Sequence, residues 1–241
     1  MTTFATPKVT LIAHTAIVPD AIEQRLEIQE GSTDAETLTV YAGRSCYESW
    51  SRPNEKTRED KDYLRRTLFE QGHFSILEHA SATFYLTGVS RALLAEITRH
   101  RHLSFSVRSQ RFVSEEDASI VIPPAVRKSS AVVHDSEEFH DDLKGSLSKV
   151  LEWWAGARHS YRELVEALLD SGLTRKQARE AARAVLPNMI ETRIVVTGNL
   201  RAWHEVITRR TAPDADAEFQ EVAGLIRKEL QKLAPEVFPA P

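Results

Sequence analysis

Apolar residues recur along most of this chain at the three- to four-residue spacing of amphipathic helices, and short β-rich runs favour strands between them. The predicted helices cover residues 36–47, 57–71, 91–98, 136–169, 174–186, 199–208 and 215–233. The predicted strands cover residues 9–13, 82–89, 119–122 and 192–197. The pattern predicts an α+β fold in which helices flank a small antiparallel or mixed sheet.

The long helical segment, residues 136–169, carries apolar and aromatic residues on one face, and Gly156 could interrupt it. Trp154 and Tyr161 are most simply core or subunit contacts, because the helical stripe alone accounts for them. The chain shows no internal repeat and no low-complexity linker. We therefore predict a single domain over residues 1–241.

Composition narrows the class of function. The 241 residues carry a net charge of −4 at pH 7, so the whole molecule is not built to coat nucleic acid or an anionic membrane. The single cysteine, Cys46, rules out an internal disulfide and is expected to be a small buried apolar residue. The chain lacks a signal-peptide pattern and an apolar run of membrane length, so we expect a soluble cytoplasmic protein.

Residues 99–112 contain four arginines, two histidines and three serines with no acid. Guanidinium groups hold phosphates through paired hydrogen bonds, and serine hydroxyls complete such a cradle, so we interpret this stretch as a site for a phosphorylated ligand. If the chain is extended from Arg101 onward, alternate side chains share a face. The alternative is a surface loop whose arginines pair with the acids of residues 114–117.

Metal and nucleophile chemistry receive weaker support from the sequence. The pairs His100 with His102 and His73 with His79 lack the i, i+4 helical spacing or the cysteine partners of zinc sites, so no metal is predicted. Ser109 lacks the local frame that activates a nucleophilic serine and is interpreted as a binding hydroxyl.

A specific motif lies in the same stretch. Arg99-His100-Arg101, separated by seven residues from Ser109 and followed by residues 110–112, resembles the signature of the flavin-dependent thymidylate synthases. Three further blocks resemble this family in the right order: His73-x-Ser75-x-x-Glu78-His79, residues 177–187, and Asn199-x-Arg201 with Arg210.

The resemblance spans about residues 42–218 and implies an activity. Members of the family make thymidylate from deoxyuridine monophosphate (dUMP), taking a methylene group from methylenetetrahydrofolate and a hydride from reduced FAD, which NADPH regenerates. They are homotetramers whose sites form where subunits meet. The partners that the resemblance implies are therefore dUMP, a folate, FAD, NADPH and further copies of this chain, whereas neither a membrane nor nucleic acid is expected.

The resemblance also assigns roles to particular residues. It implies contacts with FAD for Ser75, Arg99, His100, Arg101, Val107, Asn199, Arg201 and Glu205. It implies contacts with the nucleotide for Arg91, Glu96, Arg99, Ser109, Gln110, Arg111, Arg183 and Arg210. Arg210 is the expected catalytic group, because an arginine fixed on the uracil stabilises the negative charge that develops as C5 attacks the methylene carbon. The cysteine-dependent thymidylate synthases instead add a cysteine to C6, whereas Cys46 lies far from every motif.

Several of these residues have simpler alternatives. Asn199 could be only the N-cap of its helix, and Arg201 with Glu205 could be an ion pair at i, i+4 on the surface. Glu180 and Arg183 could form a similar surface pair.

The chain departs from the family pattern at some positions. Val107 stands where a glutamine or glutamate is common, Arg108 where a leucine is usual, and Glu205 where histidine or asparagine is frequent. The departures leave open a slow or divergent enzyme, or a nucleotide- or RNA-binding module that kept the fold without catalysis. The acidic balance of the chain weighs against tight binding of RNA.

Overall fold

A four-stranded sheet runs through this computed structural model, which describes residues 4–132 and 141–240. Its strands are β1 (Lys8–His14), β2 (Ser81–Ser90), β3 (Ser104–Val107) and β4 (Glu191–Asn199), in the order β1-β2-β4-β3. The Thr83 and Thr197 hydroxyls meet at 2.9 Å, and just beyond the other end of β2 the Arg91 N–H donates to the Ile190 carbonyl. β2 and β4 are therefore antiparallel, and the predicted α+β class with a small antiparallel sheet is confirmed.

The described residues contain nine α-helices. They are α1 (Pro19–Glu23), α2 (Asp34–Ser45), α3 (Asp60–Leu64), α4 (Arg91–Ile97), α5 (Pro124–Val132), α6 (Asp141–Asp170), α7 (Arg175–Ala182), α8 (Leu200–Arg210) and α9 (Ala217–Leu233). Short 3₁₀ segments cover Glu55–Thr57, Phe74–Glu78 and Arg183–Val185, and a π-helical segment covers Arg65–Glu70.

The described residues divide into two compact units, each of which is discontinuous along the chain. As far as they are described, unit 1 takes Met1–Lys8, Leu86–Arg99 and Ser106–Ile194, and unit 2 takes Val9–Tyr85, His100–Phe105 and Val195–Pro241. Each of the four strands passes from one unit into the other. The single domain over residues 1–241 stays a prediction.

Each unit has an apolar core of its own. In unit 1, Trp154 of α6 is fully buried against a cluster that includes Ile120 and Ile190. In unit 2, the Trp203 ring of α8 packs edge-on against Phe84 at 5.1 Å between centroids, and its indole N–H donates to the Ala82 carbonyl at 3.1 Å. Burial of one face of α8 leaves the polar side chains of its opposite face available for a site.

The run 119–122 does not form the predicted strand. Ile120 makes only isolated bridges, parallel to Phe4 and antiparallel to Ile190. Two prolines follow at once, and Pro124 begins α5, which the sequence pattern did not predict. Proline cannot donate to a sheet ladder but fits the first turn of a helix, so the run ends as a strand before it can pair further.

The predicted helix 57–71 is divided into the 3₁₀ segment at Glu55–Thr57, α3 and the π-helical segment. The predicted helix 174–186 is α-helical only to Ala182 and tightens into a 3₁₀ turn, because Leu186 precedes a proline and takes an extended conformation. Helix α6 passes Gly156 without a break, and residues 136–140 of its predicted range lie outside the described residues. The sequence pattern also does not predict helix α1, which begins at Pro19.

Cys46 was expected to be buried, and the structure corrects this. It follows the last residue of α2 and is exposed, with its thiol donating to the Ala42 carbonyl at 3.4 Å.

Candidate active site

A cavity of about 650 Å³ lies in unit 1 beside the end of β3. Its polar lining consists of Arg91, Thr98, Arg108, Ser109, Gln110, Arg111, Arg183 and Asn188, and we call it the arginine pocket. Arg91 begins α4, residues 108–111 follow β3 directly, and Arg183 opens the 3₁₀ turn after α7. Val107 also lines this cavity. Five of the residues predicted to contact the nucleotide therefore lie together.

The extended stretch that carries these residues is shorter than predicted. It begins at Ser104 rather than near Arg101, which lies in a turn. Within β3 the predicted alternation holds, since Ser104 and Ser106 are exposed while Phe105 and Val107 are half-buried. The half-buried face anchors the strand, and the turn at its end projects side chains into the arginine pocket.

Two ion pairs touch the arginine pocket. Arg108 lies 3.2 Å from Glu115, whose side chain is 1% exposed, and also donates to the Ser114 carbonyl at 3.2 Å. Arg111 lies 3.6 Å from Glu180, and both side chains are nearly half exposed. The alternative of a loop paired with its downstream acids thus holds for Arg108, and the alternative pairing of Glu180 with Arg183 is wrong.

Burial shapes the electrostatics around Arg108. It raises the pKa of Glu115, an effect opposed by the positive charges of Arg108 and Arg91. Burial also lowers the pKa of Arg91, which lies near Arg183 and Arg108 and is supported by the charge of Glu115. Three guanidinium groups and one carboxylate are therefore electrostatically coupled within unit 1.

A second cavity, of about 280 Å³, lies in unit 2 at the start of α8, and we call it the α8 pocket. Its lining residues are Glu78, His102, Asn199, Arg201, Ala202 and Glu205. The Asn199 side chain accepts from the Ala202 N–H at 2.8 Å, so Asn199 is the N-cap of α8, as the simpler alternative stated. Its place in the cavity wall is compatible with a second role.

The predicted i, i+4 pair between Arg201 and Glu205 does not form. Arg201 pairs with Glu78, and Glu205 pairs with Arg209 at 3.0 Å on the next turn of α8. Three of the residues predicted to contact FAD, namely Asn199, Arg201 and Glu205, therefore line one cavity, with the pair between Glu78 and Arg201 in its wall.

Arg210 lies at the end of α8 and is held on two sides. Its Nε donates to Nε2 of His100 at 3.0 Å, and its guanidinium carbon lies 4.7 Å from the centre of the Phe219 ring. Because Nε2 of His100 accepts this bond, the neutral imidazole carries its proton on Nδ1. The cation–π contact and the hydrogen bond together fix a half-buried positive charge.

The remaining predicted residues line neither cavity. Glu96 lies in α4, Arg99 follows its C-terminal end, and Arg101 lies in the next turn, with both arginines exposed. Ser75 is exposed in the 3₁₀ segment that also contains Glu78. The sequence assigned no role to Glu78 or Asn188, although Glu78 was already part of a matched block. His102 was considered only as a metal ligand, and Glu115 only as one of the acids in the alternative of a paired loop.

Residues 4–132 and 141–240 contain no cluster of three or more histidine, cysteine or acidic side chains that could hold a metal ion. Across the same residues, every helix is too short or too polar to cross a membrane.

The chain is similar to the proteins of one known family. The profile of a family described as thymidylate synthase complementing protein matches residues 28–236. This chain belongs to that family. Both pockets and Arg210 lie within the matched range.

Named relatives agree with the family match. A flavin-dependent thymidylate synthase of Mycobacteroides abscessus is 46% identical over 213 residues, which cover 86% of this chain and 81% of the relative. A protein of Mycobacterium phage L5 named "Probable flavin-dependent thymidylate synthase" is 44% identical over 244 residues, with 96% of each chain covered. A flavin-dependent thymidylate synthase of Mycobacterium tuberculosis is 45% identical over 210 residues, covering 86% of this chain and 81% of the relative. The predicted resemblance, and with it an enzyme of this class, is confirmed.

Proposed function

We propose that this protein is a flavin-dependent thymidylate synthase, which converts dUMP to thymidylate by reductive methylation. The observation that carries the proposal is the arginine pocket. Five residues that the motifs assign to the nucleotide line one cavity, in a chain whose relatives are named for thymidylate synthesis. No observation favours the alternative of an RNA-binding module without catalysis.

The arginine pocket has the size and charge to bind dUMP. Its volume of about 650 Å³ falls within the range of about 300–1,000 Å³ that is usual for small-molecule sites. Arg91 and Arg183 can donate paired hydrogen bonds to the phosphate, while the Ser109 hydroxyl and the Gln110 amide complete its coordination.

The residues of the α8 pocket fit part of FAD. The partly exposed Arg201 guanidinium and the Asn199 amide suit the polar groups of a dinucleotide. Glu205 alone would repel a phosphate, but its pair with Arg209 offsets that charge. At about 280 Å³ the cavity suits one portion of the cofactor. When bound, reduced FAD supplies the hydride that completes the methyl group.

Arg210 performs the electrostatic work of the reaction. Uracil C5 is a poor nucleophile, and a positive charge near the ring lowers the energy of the anion that forms as C5 attacks carbon. The contacts with His100 and Phe219 hold the guanidinium before substrate arrives, so little reorganisation is needed during the reaction.

The finer features of the proposal rest on the resemblance. The carbon donor is methylenetetrahydrofolate, and NADPH regenerates the reduced flavin. The protein acts in the cytoplasm as a homotetramer, with sites completed by neighbouring copies. Arg99, His100, Arg101, Ser75 and Glu96 are the residues that such an assembly would bring to the flavin or the nucleotide.

The direct test is an anaerobic incubation of the flavoprotein, reduced beforehand, with dUMP and methylenetetrahydrofolate. Thymidylate should appear, and omission of either substrate should abolish it. A colourless protein that takes up no added FAD, or a flavoprotein that forms no thymidylate, would contradict the proposal.

A further inference from the structure

The charge of the arginine pocket depends on an acid that does not line it. Four arginines line the cavity, whereas its lining contains no aspartate or glutamate. Glu180 offsets Arg111 only weakly, because both side chains are nearly half exposed and water screens them. Glu115 behaves differently, since its side chain is 1% exposed and lies 3.2 Å from Arg108.

Burial makes the pair between Arg108 and Glu115 a strong determinant of local charge. Screening by water and salt is weak for buried groups, so a carboxylate there offsets almost a whole guanidinium charge. The coupling reaches further than Arg108, because Glu115 also supports the charge of Arg91. Counted as formal charges, the four lining arginines contribute +4, which the buried Glu115 and the half-exposed, more weakly coupled Glu180 reduce to +2.

The formal charge of +2 matches the charge of one class of ligand. The phosphate of a nucleoside monophosphate carries close to two negative charges at neutral pH, because its second pKa is about 6. A diphosphate carries a larger negative charge. We propose that Glu115, by holding Arg108 as a neutral pair, matches the arginine pocket to a nucleoside monophosphate and lowers its affinity for a nucleoside diphosphate.

In this arrangement Arg108 and Glu115 determine specificity together. Arg108 already lines the cavity, so loss of the Glu115 charge would free its guanidinium to bind a second phosphate group. Loss of the Arg108 charge would leave Glu115 as a carboxylate supported by Arg91, and its negative charge behind the pocket would repel anions. Loss of both charges would restore the original balance. The inference rests on the proposed function for the identity of the nucleotide.

The test is a cycle of four proteins loaded with FAD: wild type, Glu115→Gln, Arg108→Gln and the double variant. Calorimetric titration gives the dissociation constants of dUMP and deoxyuridine diphosphate for each. In Glu115→Gln the preference should shift at least fivefold toward the diphosphate, and in Arg108→Gln both nucleotides should bind at least fivefold more weakly. The double variant should return to within about twofold of the wild-type preference.

Glu116→Gln is the matched control. It removes the same charge one residue away, but Glu116 is exposed and lies 3.7 Å from Arg162, outside the pocket lining. Its nucleotide preference should equal that of wild type. A change as large as that of Glu115→Gln would indicate a general charge effect and would overturn the proposal, as would an unchanged preference across the cycle.

Two further measurements keep the outcome clear. If Glu115→Gln does not fold, Arg108→Gln and the double variant decide, because a structural role alone would not restore anion preference when both charges are removed. Inorganic phosphate and pyrophosphate, titrated in parallel, separate this inference from the proposed function. If the preference between phosphate and pyrophosphate changes across the four proteins as expected but the wild type does not bind dUMP, only the identity of the nucleotide is refuted. If the wild type binds dUMP but the anion preference is the same in all four proteins, only the role of the pair between Arg108 and Glu115 is refuted.

Discussion

Arg210 holds a positive charge in a fixed position through its contacts with His100 and Phe219. In the proposed mechanism this charge activates the uracil, and no cysteine is needed. We expect Arg210→Ala to lower the rate of thymidylate formation on the order of 100- to 1,000-fold, which is typical of losing one preorganised electrostatic group. Oxidation of the reduced flavin by oxygen should persist, since it does not need the uracil. Thymidylate formation and flavin oxidation are measured on the same preparation.

Arg25→Ala serves as the control for this substitution, because Arg25 is exposed and belongs to neither pocket. It should leave both rates unchanged. Full thymidylate formation by Arg210→Ala would remove Arg210 from the mechanism.

Burial of Glu36 makes the stability of the protein depend on pH, with a sign that follows from the direction of its pKa shift. It is 2% exposed, and its carboxylate accepts from the Thr33 and Glu236 N–H groups. Burial nevertheless raises its pKa, so the folded chain keeps this proton at pH values where the unfolded chain, with a pKa of about 4.3, has lost it. The stability from this group is complete below that value and falls as the pH rises through the folded pKa.

The comparison that tests it is between wild type and Glu36→Gln, which has no such proton to lose. The stability of wild type relative to the variant should fall as the pH rises from 4 toward 7, by about 1.4 kcal/mol for each unit by which the pKa is raised. Urea denaturation at steps of pH measures the difference. A difference that is constant or grows with pH would contradict the sign.

At the residue scale, the sequence predicted which residues line the pockets better than it predicted which side chains those residues contact. Motif spacing identified Arg91, Ser109 and Arg183, which lie up to 92 positions apart and line one cavity. It could not predict that Arg201 pairs with Glu78 rather than Glu205, because both partners lie within reach of a flexible side chain and only the packing of α8 decides between them.

At the scale of elements, helices α2 and α3 approach closely at one glycine. A Cβ on Gly43 would collide with the Tyr63 hydroxyl and lie 3.1 Å from the ring carbon Cε1. The ring cannot move freely, since the buried Arg44 guanidinium lies 4.4 Å from its centre. Overpacking of this kind usually costs about 1–3 kcal/mol.

We therefore expect Gly43→Ala to lower the free energy of unfolding by about that amount, measured by urea denaturation. Addition of Tyr63→Phe should recover part of the loss, because it removes the colliding oxygen. Gly145→Ala is the control, since a Cβ there meets nothing within 4 Å. A double variant no more stable than Gly43→Ala would show that another contact causes the strain.

Elements with a strong apolar period were predicted well, and those governed by proline were not. β2, β4, α8 and α9 agree with their predicted ranges to within a few residues, because each buries one clear face. The apolar pattern predicts no helix at Pro19 or Pro124, whereas each of them begins one. Proline can end a strand or helix, and it can also occupy the first turn of a new helix. The sequence alone does not show which of these two roles a given proline has.

At the scale of the whole molecule, FAD should stabilise the folded chain. A ligand present at 100 times its dissociation constant adds about 2.7 kcal/mol, which corresponds to roughly 5–10 °C in Tm for a chain of this size. Arg201→Ala should remove most of this shift without abolishing folding, since Arg201 is about half exposed. Riboflavin, which lacks the phosphates, should give a smaller shift with wild type, and an equal shift would contradict a phosphate contact.

The interleaving of the two units constrains how the chain acquires its structure as it is synthesised. Unit 2 joins residues that lie far apart: Ala82 bonds to Trp203, and Glu36 accepts a hydrogen bond from residue 236, which is 200 positions later. The ribosome adds about 5–20 residues per second, so the apolar surface of the N-terminal part waits for roughly 10 s or more before its partners emerge. During that interval the exposed apolar surface can aggregate, and a stall in translation near the C-terminus would prolong the exposure.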